Sequence, residues 1–243
     1  MGDAPTVGLI VVPAAGQVPE EAARMYGESV KFVAAGLGLK WMTPEGYDSV
    51  IDRITAVARD LSAQGVVALS IMGTSLTFYR GAAFNQELID AVSHTTGLPA
   101  TSMSTGVVDG LRAVGARRVA VGTAYIPEVN DRLRRFLVES GFDVLAVEGL
   151  LLDRIGVAKT VAQDTLLDLG ERVFRASPGA DAILISCGGF RTLDLAVPLE
   201  ASTGVPVISS TPAALRAVVR LAGLSGAAPG FGRLLEEKSA AAE

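Results

Sequence analysis

One cysteine and one histidine occur in 243 residues, and each scarcity excludes something. An intrachain disulfide framework needs paired cysteines, and structural zinc or iron sites need several thiols or imidazoles, so none of these can form. Carboxylates alone could hold a metal, but no motif supports one. Long hydrophobic runs are also missing: no stretch approaches the roughly 20 apolar residues of a membrane-spanning helix. The start, MGDAPTVGLIVVP, has no basic region ahead of its apolar run, so no signal peptide is read and the cytoplasm is the expected location. The formal charge is −5, with no Lys/Arg stripe and no interleaved aromatics, which argues against a nucleic-acid partner. No Walker-type glycine loop occurs, and GLGL at 36–39 lacks the spacing of a dinucleotide fingerprint, so no nucleotide cofactor is expected.

What is abundant is short apolar runs. They fall near residues 6–12, 31–37, 66–72 and 99–103, with helical stretches at 45–63 and 81–93. The pattern recurs near 117–122, 143–148, 181–186 and 205–208, with helices around 127–140, 162–177 and 211–222. Such alternation predicts an α/β fold with a parallel sheet flanked by helices in each half. An internal repeat agrees: TTGLPATSMST at 95–105 matches STGVPVISST at 202–211, and each copy precedes a helix containing Leu-Arg-Ala. The expected architecture is therefore two similar domains related by a pseudo-twofold, with the active site at their interface. Residues 1–115 plus the tail 224–243 form the first half and residues 116–223 the second. The Pro229 to Leu235 segment is expected to pack back on the first half, ahead of a disordered Ala/Glu end.

Chemistry is expected where the strands stop, because open α/β sheets bind ligands at their carboxyl edges. ILIS is followed by Cys187-Gly188-Gly189, and VALSIM is followed by Gly73-Thr74-Ser75 in the counterpart position. The two glycines after Cys187 let a ligand approach the backbone. A lone cysteine also occurs as a small buried hydrophobe, and Thr74 and Ser75 could be ordinary helix caps. Thr123-Ala124-Tyr125 and Val12-Pro13-Ala14 follow the first strand of each half and belong at the same edge. Leu39, Trp41, Met42 and Tyr47 would make an apolar wall. His94 sits at an expected exposed helix end, so Cys187 reads as a proton donor or acceptor and not as half of a Cys–His nucleophile pair.

Taken together, VVPAAG, GLGL, TPEGYD, MGTSL with FYRGAAFN, the TAYI loop, SCGG with TLD, and the PGFGRL tail span almost the whole chain. In these motifs it resembles the arylmalonate decarboxylase family of the aspartate/glutamate racemase superfamily. Superfamily racemases carry two cysteines, one per half; here Gly73 stands at the first position and Cys187 at the second. The resemblance implies cofactor-independent decarboxylation of α-aryl (α-alkyl) malonates to chiral α-aryl carboxylic acids. It further implies that Thr74, Ser75, Tyr125 and the backbone N–H near Gly188 form a dioxyanion hole, and that Cys187 protonates the enediolate on one face. Gly73, Pro13, Leu39, Met42, Tyr47, Leu76, Ile155 and Val157 would contact the substrate. A small malonate is the expected partner and a monomer the expected state. The stretch after the cysteine is also similar to that of maleate cis-trans isomerases, so a racemase or isomerase is the enzymatic alternative. A non-catalytic carboxylate-binding protein is the third reading.

Overall fold

Val- and Ile-rich runs are stiff at χ1 and fit a pleated surface, and both sheet faces here are covered by helices. A computed structural model describes residues 3–236; residues 1–2 and the Ala/Glu end at 237–243 lie outside the described residues. The first half runs β1 (Thr6–Val11), α1 (Glu20–Tyr26), β2 (Lys31–Gly36), α2 (Pro44–Ile51), α3 (Ile54–Ser62), β3 (Ala68–Met72), α4 (Thr74–Phe78), α5 (Ala82–Thr96), β4 (Ala100–Ser102) and α6 (Met103–Ala113). The second runs β5 (Arg118–Thr123), α7 (Pro127–Glu139), β6 (Asp143–Gly149), a 3-10 turn (Ala158–Thr160), α8 (Gln163–Arg175), β7 (Ala182–Ser186), α9 (Ala196–Thr203), β8 (Val207–Ser209) and α10 (Ser210–Leu221). No helix among the described residues is long and apolar enough to cross a membrane.

Each half holds one four-stranded parallel sheet, ordered β2-β1-β3-β4 and β6-β5-β7-β8. The orders are the same under exchange of β1 to β4 for β5 to β8, so the chain is two similar α/β domains. Strands β3 and β7 are buried along their whole length, which explains their uninterrupted apolar sequence.

One helix differs from expectation. The stretch 45–63 is two helices, α2 and α3, separated at Asp52 and Arg53. The buried positions Tyr47, Val50, Ile54, Ala58 and Leu61 keep a helical period straight through the break, so periodicity carries no sign of it. Arg53 instead turns its guanidinium to the Leu37 carbonyl, 2.5 Å away. The helix α2 starts where Thr43 caps it by accepting from the Gly46 N–H, with Pro44 in the first turn.

The repeat segments become β4–α6 and β8–α10, and the two helices pack against one another between the halves. Helix α10 also lies on β3 and β4 of the other sheet. Their backbones come close together at Gly106: a Cβ there would lie 2.8 Å from Ala214 Cα and 3.0 Å from the Ala213 carbonyl oxygen. The tail touches both halves. Tyr26 donates its hydroxyl to the Gly226 carbonyl, and the Arg233 N–H donates to Glu200 of α9.

Because backbone, not a flexible side chain, faces Gly106, any larger residue must push α6 and α10 apart. Gly106→Val is expected to cost about 1–3 kcal/mol, the usual range for overpacking, and to lower Tm by several degrees in a circular-dichroism melt. An unchanged Tm would show that the helices do not depend on this contact.

Candidate active site

In the sheet registers Val11 pairs with Met72 and Thr123 with Ser186. The next residue along each strand is therefore Val12, Gly73, Ala124 and Cys187, so Gly73 and Cys187 occupy equivalent positions in the two halves. All four strand ends open on one cavity of about 580 Å³ between the sheets. Of the residues expected there, Cys187, Gly188, Gly73, Thr74, Ser75 and Tyr125 line it. Pro13, Leu39, Met42 and Ile155 complete the group.

The hydroxyl groups are held by the two repeat helices in matching ways. Ser104 of α6 donates to the carbonyl of Thr74 at 2.9 Å, and Thr211 of α10 donates to the carbonyl of Gly188 at 3.3 Å. Ser104 and Thr211 are equivalent in the repeat, as are Thr74 and Gly188, so each half-site is fixed by its counterpart hydroxyl. The Thr74 hydroxyl donates to the sulfur of Met103, a weak acceptor, at 2.9 Å. The Tyr125 phenol is buried and lies 3.4 Å from the Ser186 hydroxyl, a long hydrogen bond. Its backbone is pinned: the Tyr125 N–H donates to Thr123 Oγ1, which in turn donates to Asn130. Burial pushes the Tyr125 phenol well above its ordinary range, so it remains a donor.

Cys187 is 4% exposed. Its Sγ accepts from the Gly189 N–H at 3.4 Å. Burial raises the thiol to about 11, against a modest opposing pull from the Gly189 and Phe190 amides. The group is a neutral thiol through the neutral range, able to give a proton and poorly suited to act as a nucleophile.

The apolar wall is built by an antiparallel contact between the halves. The Met42 N–H donates to the Asp153 carbonyl at 2.7 Å and the Ile155 N–H donates to the Lys40 carbonyl at 3.1 Å. Leu39 and Met42 line the cavity; Trp41, next to Met42 on this extended stretch, points the opposite way. Trp41 is 43% exposed and stacks under the guanidinium of Arg154 at 4.7 Å. Three further residues expected against the substrate do not line the cavity. Leu76 is fully buried behind Gly73, Tyr47 is fully buried within the aromatic cluster behind Ser75, and Val157 is turned to solvent. Val12, whose loop was expected at this edge, also lines the cavity, whereas Met72, Met103, Ala158 and Phe190, together with the charged rim Glu20, Glu21, Lys159 and Arg191, were not expected there. Met103 had a signal, since it lies inside the repeated TSMST segment; the rim, spread over the start of α1, the 3-10 turn and the loop after Cys187, had none. His94 is exposed on α5 and is not among the cavity residues.

Two parallel-sheet halves closing a pocket at their interface define a two-domain α/β fold that this chain shares with the maleate isomerases. The model of the family described as arylmalonate decarboxylase matches residues 7–235. The chain belongs to the arylmalonate decarboxylase family. It is 51% identical over 234 residues to the arylmalonate decarboxylase of Bordetella bronchiseptica, covering 96% of this chain and 97% of the relative. A solved structure of a liganded arylmalonate decarboxylase double mutant, Gly to Cys and Cys to Ser, aligns with a TM-score of 0.94 at 50% identity, covering 96% of this chain and 99% of that one. The maleate isomerase of Pseudomonas putida S16 aligns with a TM-score of 0.87 at 22% identity over 96% of this chain and 98% of that one, a likeness of fold.

Since Cys187 is the single cysteine, the ultraviolet thiolate absorbance of the parent minus that of Cys187→Ala isolates it from the four tyrosines, whose phenolates absorb in the same region. Its midpoint in the folded protein is expected near pH 11, displaced from about 9 on unfolding. Because the folded value is the higher one, the associated stability is fully present below pH 9 and is lost as pH rises from about 9 to about 11. A folded-state midpoint at or below 9 would contradict the buried, neutral thiol.

Proposed function

We propose that this chain decarboxylates α-aryl malonates, α-alkyl derivatives included, and returns chiral α-aryl carboxylic acids. The observation that carries the reading is the pocket's pairing of weakly engaged donors with one protonated thiol, opposite a glycine in the equivalent position. One substrate carboxylate accepts hydrogen bonds from the Thr74 and Ser75 hydroxyls, the Tyr125 phenol and the Gly188 N–H. The other carboxylate lies against Leu39, Met42 and Ile155, where poor solvation favours neutral CO2 over a charged group. The bond between that carboxylate and Cα breaks, CO2 leaves, and the electron pair spreads from Cα onto the retained carboxylate as an enediolate. Charge on those oxygens grows as the bond breaks, so the donors strengthen in the transition state, each worth about 10² to 10³ in kcat. The chemistry then requires no electron sink beyond the retained carboxylate itself. The Cys187 thiol gives its proton to Cα from its own side, and the resulting thiolate takes a proton back from water.

Racemase or isomerase chemistry of the two-thiol kind would want a second sulfur at position 73, where glycine stands. We read residues 1–115 with the tail 224–243 as one functional half and 116–223 as the other. One chain supplies both half-sites, which supports a monomeric enzyme.

Two measurements test the mechanism, and a third tests its geometry. Cys187→Ala is expected to lower product formation by about 10² to 10⁴, the usual contribution of a general acid, while leaving the circular-dichroism spectrum unchanged; full retained rate would refute the assignment. Tyr125→Phe, Thr74→Ala and Ser75→Ala are each expected to lower kcat more than they raise KM. Unchanged kcat in all three would reduce these groups to structural caps. Gly73→Cys combined with Cys187→Ser is expected to invert product configuration at much reduced rate, because a Cβ at position 73 would lie 2.6 Å from Val12 Cγ1 and that side chain must yield. An active double variant of parental configuration would overturn the two-faced site.

A further inference from the structure

A second cavity, of about 640 Å³, adjoins the reaction pocket and shares with it Glu20, Glu21, Lys159 and Arg191. Its wall is charged where the reaction pocket's is mostly apolar, with Arg24 and Asp194 completing the set. Most of that charge is already paired. Arg24 grips Asp194 with two hydrogen bonds of 2.8 and 2.7 Å, and Arg191 holds Glu20 at 3.1 Å. Glu21 is buried, at 6% exposure. Lys159 is exposed and makes no ion pair among the described residues. Its place is also fixed. The preceding residue, Ala158, is buried, and its Cβ lies 3.0 Å from where a Cβ on Gly189 would sit, so Lys159 stands at the rim of the loop that carries Cys187.

We propose that Lys159, with Arg191 behind the Glu20 pair, forms an outer anion-receiving site that selects dianionic malonates over their monoanionic products. This rests on the decarboxylase reading. The chain as a whole is acidic, with a formal charge of −5, so a dianion is repelled at long range and needs local positive charge to approach. A dicarboxylate feels that charge twice as strongly as the monocarboxylate left after CO2 departs, which draws substrate in and lets product go. The cation must stay outside. Set beside the departing carboxylate it would hold that group ionised and oppose the reaction, and Leu39, Met42 and Ile155 keep that region apolar.

The test uses the full chain with phenylmalonate at low (about 20 mM) and high (about 0.5 M) ionic strength, where the screening length shrinks from tens of ångströms to a few. At low ionic strength Lys159→Gln is expected to lower kcat/KM about five- to tenfold, with the loss in KM, and to converge on the parent at high ionic strength. Glu20→Gln frees Arg191 and is expected to change kcat/KM in the opposite direction. Equal kcat/KM for Lys159→Gln and parent at low ionic strength, or a loss carried by kcat, would overturn the proposal. Calorimetric titration with phenylmalonate separates this from the underlying reading. A parent that binds phenylmalonate without releasing CO2 sinks the decarboxylase reading, whereas equal low-salt affinities of Cys187→Ala and Cys187→Ala with Lys159→Gln, in which turnover is slowed, sink this one.

Discussion

The close approach of α6 to α10 is the contact on which the site depends. Glycine at 106 and alanines at 213 and 214 bring the two backbones together, and two residues before the crossing on each helix stands a hydroxyl, Ser104 or Thr211, that grips one half-site. The spacing between the loops that face the cavity is thus set by a helix–helix distance and not by the loops themselves. Small residues at a crossing permit close packing, and packed interiors resist small displacements. A site built this way holds its donors in place before any ligand arrives, which is the condition under which fixed dipoles act most strongly on developing charge.

Burial does the remaining work on the chemistry. The same exclusion of water that keeps the Cys187 thiol neutral also strengthens each hydrogen bond made in the cavity. Aromatic residues, 5% of the chain, are concentrated behind the site. Phe78 meets Tyr125 edge-on at 5.7 Å across the two halves, and Tyr47 packs on Tyr79 at 4.9 Å. Three of the chain's four tyrosines are in this cluster. They back the Ser75 and Tyr125 loops with rigid, apolar volume that few other side chains could supply at so low a cost in rotamer freedom.

The strands and their duplication were legible because a strand buried on both faces needs an unbroken apolar run, and glycines mark where it stops. Gly73, Thr74, Tyr125 and Cys187 could be found from that rule alone, each lying at or just past a strand end. Side-chain direction was harder. Trp41, Tyr47, Leu76 and Val157 are apolar residues near the right loops, yet which face they present depends on the antiparallel contact between 40–42 and 153–155 and on the packing behind Gly73. No local pattern encodes either. Met103 joins the cavity because a helix from the repeat crosses to it, a tertiary fact. The short helix α1, with the sequence EEAARMY, carries too few turns for a period to show, so the charged rim it supplies was invisible.

The antiparallel contact that aims Met42 and Ile155 inward leaves the chain's single tryptophan on its outer side, resting on a cation from the opposite half. Indole emission is quenched or shifted by a nearby guanidinium and by access to water. Any breathing of the two halves that parts Trp41 from Arg154 therefore changes the one indole signal the molecule emits. The protein carries its own optical gauge of pocket opening, placed on the seam and outside the chemistry, readable without label or substitution.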